Sequence, residues 1–390
     1  MTRSACAVVL AASAALLLSG CHPNTEPVPL AGSPHPKYAV TDLGAGLPSS
    51  INNHGQVVGE FAAGVFPNSK GFPYFHGCLW DNGKRTEMPT LGGWYSNAGS
   101  IADTGLIVGS AAVRKWDKGG LPTEHVCLWQ NGKLTDLEAD PRFRGTSALH
   151  VTQSGAVYAV SPPQEQTKQT HLWFFPTGLA PGSRVDKGTI GGSTVKPIAI
   201  NDSGVVIGTE EFSRKPNPRA FDKRPIRHAF LWQNGRLTDL GTLGGPSSEA
   251  KALNNAGQVV GISDLRDDPA RPALRGNAFL WEQGKMRGLG ALVSGGFSYP
   301  YAINDKGQIV GFSEANQHTS QLHPVLWEDG KISDLSLLIP TGTRWTSLSG
   351  AASINDHGQI VGDGGIEGDH WAHGYLLTPI GYNSVKGVTP

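Results

Sequence analysis

Five histidines fall at one recurring position, His76, His125, His228, His323 and His373, with Gln169 and Asn277 in the two remaining registers. Imidazoles spaced this regularly could ligate zinc or carry protons near neutral pH. Two thiols, Cys78 and Cys127, share another recurring position two residues further on, where neighbouring copies carry Phe. Six tryptophans (Trp80, Trp129, Trp173, Trp232, Trp281, Trp327) and six acids (Asp42, Glu87, Asp136, Asp186, Asp239, Asp334) recur in the same way. No Gly-x-Ser-x-Gly, Walker or His-Glu-x-x-His sequence accompanies them. Asp264-Leu-Arg-Asp-Asp268 lacks the spacing and glycine of an EF-hand loop and reads as a solvated loop. What the histidines can do depends on how far apart the fold holds them.

The repeat that carries them is plain. Leu253-Asn-Asn-Ala-Gly-Gln-Val-Val-Gly261 returns as Ile303-Asn-Asp-Lys-Gly-Gln-Ile-Val-Gly311 and as Ile354-Asn-Asp-His-Gly-Gln-Ile-Val-Gly362. Further copies start at Ile51 and Ile200, with degenerate ones at Ile101 and Val151, so seven starts lie 49 to 53 residues apart. Each unit predicts four strands. Strand A is the small-residue run before the isoleucine, and an Asn-Asp-x-Gly turn leads to strand B, Gln-Val-Val-Gly. Strand C resembles His228-Ala-Phe-Leu-Trp232, and an Asn-Gly hairpin turn leads to strand D, as in Arg236-Leu-Thr-Asp-Leu240. Fifty-two glycines and 27 prolines suit such dense turns, and an apolar content of 38% is enough for a core. The fold expected is an all-β, seven-bladed β-propeller with four antiparallel strands per blade.

The last unit stops after strand C, His373-Gly-Tyr-Leu-Leu377, and lacks a strand D. Tyr38-Ala-Val-Thr-Asp-Leu-Gly44 matches Arg236-Leu-Thr-Asp-Leu-Gly241, so the N-terminal strand should complete the last blade and close the ring. Closure decides the histidine question. Strand C lies two strand spacings of ~4.8 Å outside the innermost strand, at roughly 15 Å from the axis. Equivalent residues would then be on the order of 13 Å apart, against ~2 Å for a Zn–N bond. One metal cannot gather them, so a hydrogen-bonding role is expected and no cofactor is implied. Cys78 and Cys127 are too distant for a disulfide, which needs Cα atoms within ~7 Å, and read as small buried apolar residues.

The first 20 residues read as a signal peptide: Arg3, then an apolar stretch from Ala5 to Leu18 that is shorter than the ~20 residues of a spanning helix. Leu18-Ser19-Gly20-Cys21 resembles a bacterial lipobox, which makes Cys21 the expected lipidation site and the mature N-terminus. Position 22 is His and not the Asp that resembles an inner-membrane retention signal in enteric bacteria, which favours the outer membrane. Residues 21–37 read as a proline-rich tether, 38–380 as one propeller and 381–390 as a tail.

The run His228-Ala229-Phe230, with Leu231-Trp232, Asp239 to Gly245 and the Ile-Asn-x-x-Gly turns, resembles the HAF-repeat family of bacterial extracellular proteins. The resemblance covers residues 38 to 377 and is weakest in blade 3, where Ala159 replaces the usual glycine. It implies export and a repeat scaffold, and brings no catalytic residues with it.

The short A–B and C–D turns share one face of such a ring, and the variable B–C and D–A loops share the other, where binding is expected. Near the axis of that face the repeat is broken by Trp94, Tyr95, Phe143, Phe297, Tyr299, Tyr301 and Trp345, and by Arg144, Lys196, Glu249 and Arg344. A long basic loop in blade 4 carries Arg214, Lys215, Arg219, Lys223 and Arg224. Aromatic and charged residues together suit a sugar or a peptide. The function expected is a lipid-anchored envelope scaffold that binds a polysaccharide, cell-wall fragment or protein without catalysis. A glycan hydrolase or lyase needs two carboxylates within about 10 Å, and Glu249 alone stands out near the mouth. A third reading is a structural subunit of an envelope assembly. With 32 basic and 32 acidic residues the net charge is zero, so nucleic acid is not an expected partner, and a monomer is expected.

Overall fold

The computed structural model describes residues 32–65, 73–116, 122–137, 148–160, 170–175, 185–191, 195–216, 225–265, 276–316 and 321–381. Within them 28 strands form seven four-stranded antiparallel sheets, each ordered A-B-C-D from the innermost strand outward. The blades span 47–87, 92–136, 148–191, 195–239, 244–288 and 298–334, and the seventh combines 345–379 with the N-terminal strand. The chain is a seven-bladed β-propeller.

Blade 5 shows why the sequence folds this way. Its strands are A (Gly244–Leu253), B (Val259–Leu265), C (Asn277–Glu282) and D (Lys285–Gly288). Alternation along B and C turns Val259 and Phe279 toward blade 4 and Val260, Ala278 and Leu280 toward blade 6, so every blade shares its two faces with its neighbours. Five of the C–D turns are two-residue hairpins with both central residues at positive φ, such as Gln283 and Gly284 at 50° and 79°. That geometry explains the repeated Asn-Gly.

Strand A carries a register shift in six blades, as between Ala250 and Ala252, and in blade 3 it runs unbroken from Ala148 to Val151. A bulge twists the strand locally and turns side chains at the start of strand A toward the axis.

The N-terminal strand (Tyr38–Ala45) pairs antiparallel with strand C of blade 7 (His373–Pro379), from Tyr38 opposite Pro379 to Asp42 opposite Tyr375. Tyr38 is buried, and the Trp80 indole of blade 1 donates to the Leu43 carbonyl at 2.9 Å. Part of the segment read as a tether is bound rather than extended. Ser33 N–H donates to the Ile339 carbonyl (2.8 Å) and Lys37 N–H to the Leu338 carbonyl (2.9 Å), because the short 3-10 turn Leu335–Leu337 leaves carbonyls open beside the closing strand. The expected lipidation site Cys21, the signal peptide and most of the tether lie outside the described residues, as do Phe143, Arg144 and the basic side chains of the blade 4 loop.

Candidate functional site

The recurrent histidines pair with the recurrent acids. On strands C and D of five blades, Nδ1 of His76, His125, His228, His323 and His373 meets Glu87, Asp136, Asp239, Asp334 and Asp42 at 2.5 to 2.9 Å. These are clamps within one sheet, and among the described residues no group of three or more His, Cys, Asp or Glu could hold a metal ion. The acids therefore serve the histidines, a pairing that reading strand D as an isolated outer strand had missed. The hydrogen bond that His323 donates to Asp334 raises the histidine's pKa against the effect of burial. Cys78 and Cys127 are buried and not joined in a disulfide.

The short-turn end of the channel is closed by its own hydrogen bonds. Successive A–B turns are joined by N–H groups that donate from one blade to the next: Asn53 to Asp103, Asp103 to the Gln153 carbonyl, Ser154 to Asp202, Asp202 to Asn255, Asn255 to Asp305, Asp305 to Asp356, and Asp356 back to Asn53, at 2.7 to 3.1 Å. Gln153 reaches across the axis, donating to Asp356 (2.8 Å) and accepting from Asn255 (3.1 Å). Burial alone would raise the pKa values of Asp202 and Asp356, but the hydrogen bonds they accept hold both below the ordinary range. Behind this ring is a cavity of about 210 Å³ lined by Ile51, Ile101, Val151, Ile200, Leu253, Ile303 and Ile354, and beside it an open depression of about 400 Å³ at Asp103, Gln153 and Asp202. The polar groups here are largely consumed in joining blades. The Asn-Asp turn had been read for its backbone geometry, whereas its side chains build the seam.

The opposite end carries the residues that break the repeat. Tyr299 lies parallel to Phe312 with centroids 5.4 Å apart, and Phe297 and Tyr301 complete an aromatic cluster in blade 6. Lys251 Nζ stands 5.0 Å over the Tyr299 ring and pairs with Glu249 at 3.0 Å. Arg227 Nη1 lies 3.9 Å from Glu249. Lys196 is exposed on strand A of blade 4. Tyr95 donates to Glu60 Oε2 at 3.1 Å, and Trp94, 45% exposed, meets Tyr74 edge-on at 5.4 Å. One expected residue, Trp345, is withdrawn from this surface. Trp345 is 3% exposed and packs perpendicular to Tyr375 inside blade 7, because strand A begins there and turns the indole into the sheet. Arg344 is exposed and donates to the Glu367 carbonyl at 3.3 Å.

The expectation that Glu249 is the lone acid of this end fails on strand B, which alternation had hidden. Glu60 is 6% exposed, and its pKa is raised by burial and by the charge of Glu124, against hydrogen bonds from Asn97 and Tyr95. Burial also raises Glu124, opposed by the Ser110 hydroxyl. Asp363, the blade 7 counterpart of Glu60, is pushed by burial up to about 6. The signal available in the sequence was acid at a position where other blades carry Val160, Ile262 or Phe312.

No protein-family model and no curated protein matches the chain. Among solved structures it is similar to the β-propeller domain of the Trilobed protease from Pyrococcus furiosus, at 11% identity over 86% of this chain and 94% of that one, with a TM-score of 0.57. It also matches the Pyrococcus horikoshii acylaminoacyl peptidase (13% identity, 82% of this chain, TM-score 0.49) and a puromycin-hydrolyzing peptidase from Mycobacterium tuberculosis (14%, 90%, 0.47). The chain spans 49% and 56% of those two peptidases. At such identity the likeness is one of fold. The Trilobed protease domain has an open velcro topology, whereas here the ring is closed by Tyr38–Ala45.

Proposed function

We propose that this is a lipid-anchored envelope protein of the HAF-repeat kind, held at the outer membrane through Cys21, whose propeller recognises a glycan, cell-wall fragment or protein at its long-loop end. One observation carries the reading. The two ends of the channel are unlike: one joins blade to blade through a ring of hydrogen bonds, and the other presents aromatic rings and charged side chains that follow no sevenfold rule. A rigid scaffold whose aromatic departures gather at one mouth fits recognition. The test is a binding screen of glycans and cell-wall fragments against the mature chain with Cys21→Ser, which should also leave the membrane fraction. Saturable binding without turnover is expected, and Tyr299→Ala should weaken it about tenfold. Binding that survives both Tyr299→Ala and Trp94→Ala would remove this end from consideration.

A hydrolase is the second reading, favoured by the carboxylate pair Glu60 and Glu124, both with raised pKa values. Product released in the same screen, and lost in Glu60→Gln, would establish it.

A further inference from the structure

Among the described residues, Glu60 is a buried carboxylate with no cation paired to it. Its Oε2 accepts from the Tyr95 hydroxyl (3.1 Å) and the Asn97 amide (3.2 Å), and Oε1 accepts from nothing among the described residues. No lysine, arginine or histidine is ion-paired with Glu60 or Glu124 among the described residues. The charge of Glu124 acts on Glu60 and repels it.

Other acids of this end, the half-buried Glu249 and the buried Glu314, are handled differently. Glu249 has Lys251 at 3.0 Å and Arg227 at 3.9 Å. Glu314, equally deep, accepts the Phe297 N–H at 3.1 Å. An ionised carboxylate withdrawn from water costs several kcal/mol unless a cation or a full set of donors replaces the water. Glu60 has half of that set. Tyr95 meets the carboxylate through its hydroxyl, and Trp94, its neighbour in the chain, is exposed and stands edge-on to Tyr74.

We infer that Glu60, Tyr95 and Asn97 form a binding site for a primary ammonium group, with Glu124 as second carboxylate, on an amino sugar or a peptide amine. An ammonium has three N–H donors and no acceptor. It would donate to Glu60 Oε1 and supply the positive charge that the pair lacks, while Tyr95 and Asn97 hold Oε2 in place. The inference rests on the reading of the long-loop end as the binding end, and narrows its ligand to one that carries a free amine.

The probes are a glucosamine trisaccharide and a lysine tripeptide, each beside its fully N-acetylated form, titrated calorimetrically into the mature chain with Cys21→Ser and into the same chain with Glu60→Gln. The expected result is saturable binding of one amine probe, weakened about tenfold or more by acetylation and again by Glu60→Gln. Which probe binds tells the sugar from the peptide. The melting temperature of Glu60→Gln should equal or exceed that of its parent, since a buried unmatched charge has been removed, so a lost signal cannot be a lost fold. Three results would overturn the inference: equal binding of free and acetylated probes, equal binding by Glu60→Gln, or no amine probe bound up to ~10 mM. A neutral glycan that binds both proteins alike would overturn the ammonium site and leave the recognition scaffold standing.

Discussion

At the scale of one residue, a methyl group separates blade 3 from the other six. Gly59, Gly109, Gly208, Gly261, Gly311 and Gly362 occupy one position on strand B, and a Cβ on any of them would lie 1.9 to 2.2 Å from a strand A carbonyl oxygen. Their φ values need no glycine; the close approach does. Those six blades are the ones whose strand A is bulged, and blade 3, with Ala159 opposite Leu149, has the unbroken register. Bulge and glycine are thus one device: the bulge drives a carbonyl inward, and the missing side chain makes room for it. Gly261→Ala should cost about 3 kcal/mol, since the backbone at 2.1 Å and the Phe279 ring at 2.7 Å cannot both yield. Ala159→Gly should cost about 1 kcal/mol, mostly from chain entropy. Urea midpoints of the two variants decide the matter, and equal losses would mean that the bulge does not set the demand for glycine.

At the scale of the element, the closing strand is held by the same clamp that joins strands C and D elsewhere. His373 Nδ1 meets Asp42 at 2.8 Å, and its Nε2 meets Asp369 at 2.9 Å. Burial pushes the His373 pKa down, but the hydrogen bonds to Asp42 and Asp369 outweigh it, so the net displacement is upward. A histidine raised in the fold stabilises fully below its unfolded value of about 6.5 and loses that contribution as pH rises through the folded value. Asp42→Asn should therefore lower the melting temperature by about 1 to 2 °C at pH 5.5, the order of a part-exposed ion pair. Near pH 9 the two proteins should melt together; a deficit independent of pH would assign the loss to packing. The strand itself was legible in the sequence, because the vacancy after His373 and the surplus of Tyr38 to Gly44 are complementary copies of one motif. The clamp was half legible. Histidine and acid each recurred, eleven residues apart in blades such as His228 and Asp239, but only hairpin register tells that they face each other. Glu60 was legible only as an acid at a position where other blades carry apolar residues: its partners Tyr95 and Asn97 belong to the next blade, and the repeat period says nothing about contacts that depend on how one blade leans on another.

At the scale of the whole molecule, the ring is only as secure as its weakest seam, because blades pack on their neighbours, with the Gln153 amide as an added tie across the axis. Five buried asparagines tie the seams. Nδ2 of Asn52, Asn201, Asn254, Asn304 and Asn355 donates to a backbone carbonyl of the following blade at 2.9 to 3.0 Å. Blades 2 and 3 carry Ala102 and Thr152 instead, so the seams between blades 2 and 3 and between 3 and 4 lack the amide. Blade 3 also lacks the bulge, and two departures in one blade single it out as the place where the ring opens first. Thr152→Asn tests this with little steric risk, because Asn201 occupies the equivalent turn with Val205 where most blades have glutamine, as blade 3 has Ala156 there. The new amide would donate to the Asn201 carbonyl, and a buried hydrogen bond of this kind contributes about 1 kcal/mol. Amide exchange across strands A and B of blade 3 should slow by roughly fivefold, with blades 5 and 6 unchanged. Asn254→Thr, the reverse change on an intact seam, should speed exchange in blade 5 and spread to blade 6. If Thr152→Asn leaves blade 3 exchanging as before while Asn254→Thr loosens its own seam, the weakness of blade 3 lies in its straight strand A and not in the missing amide.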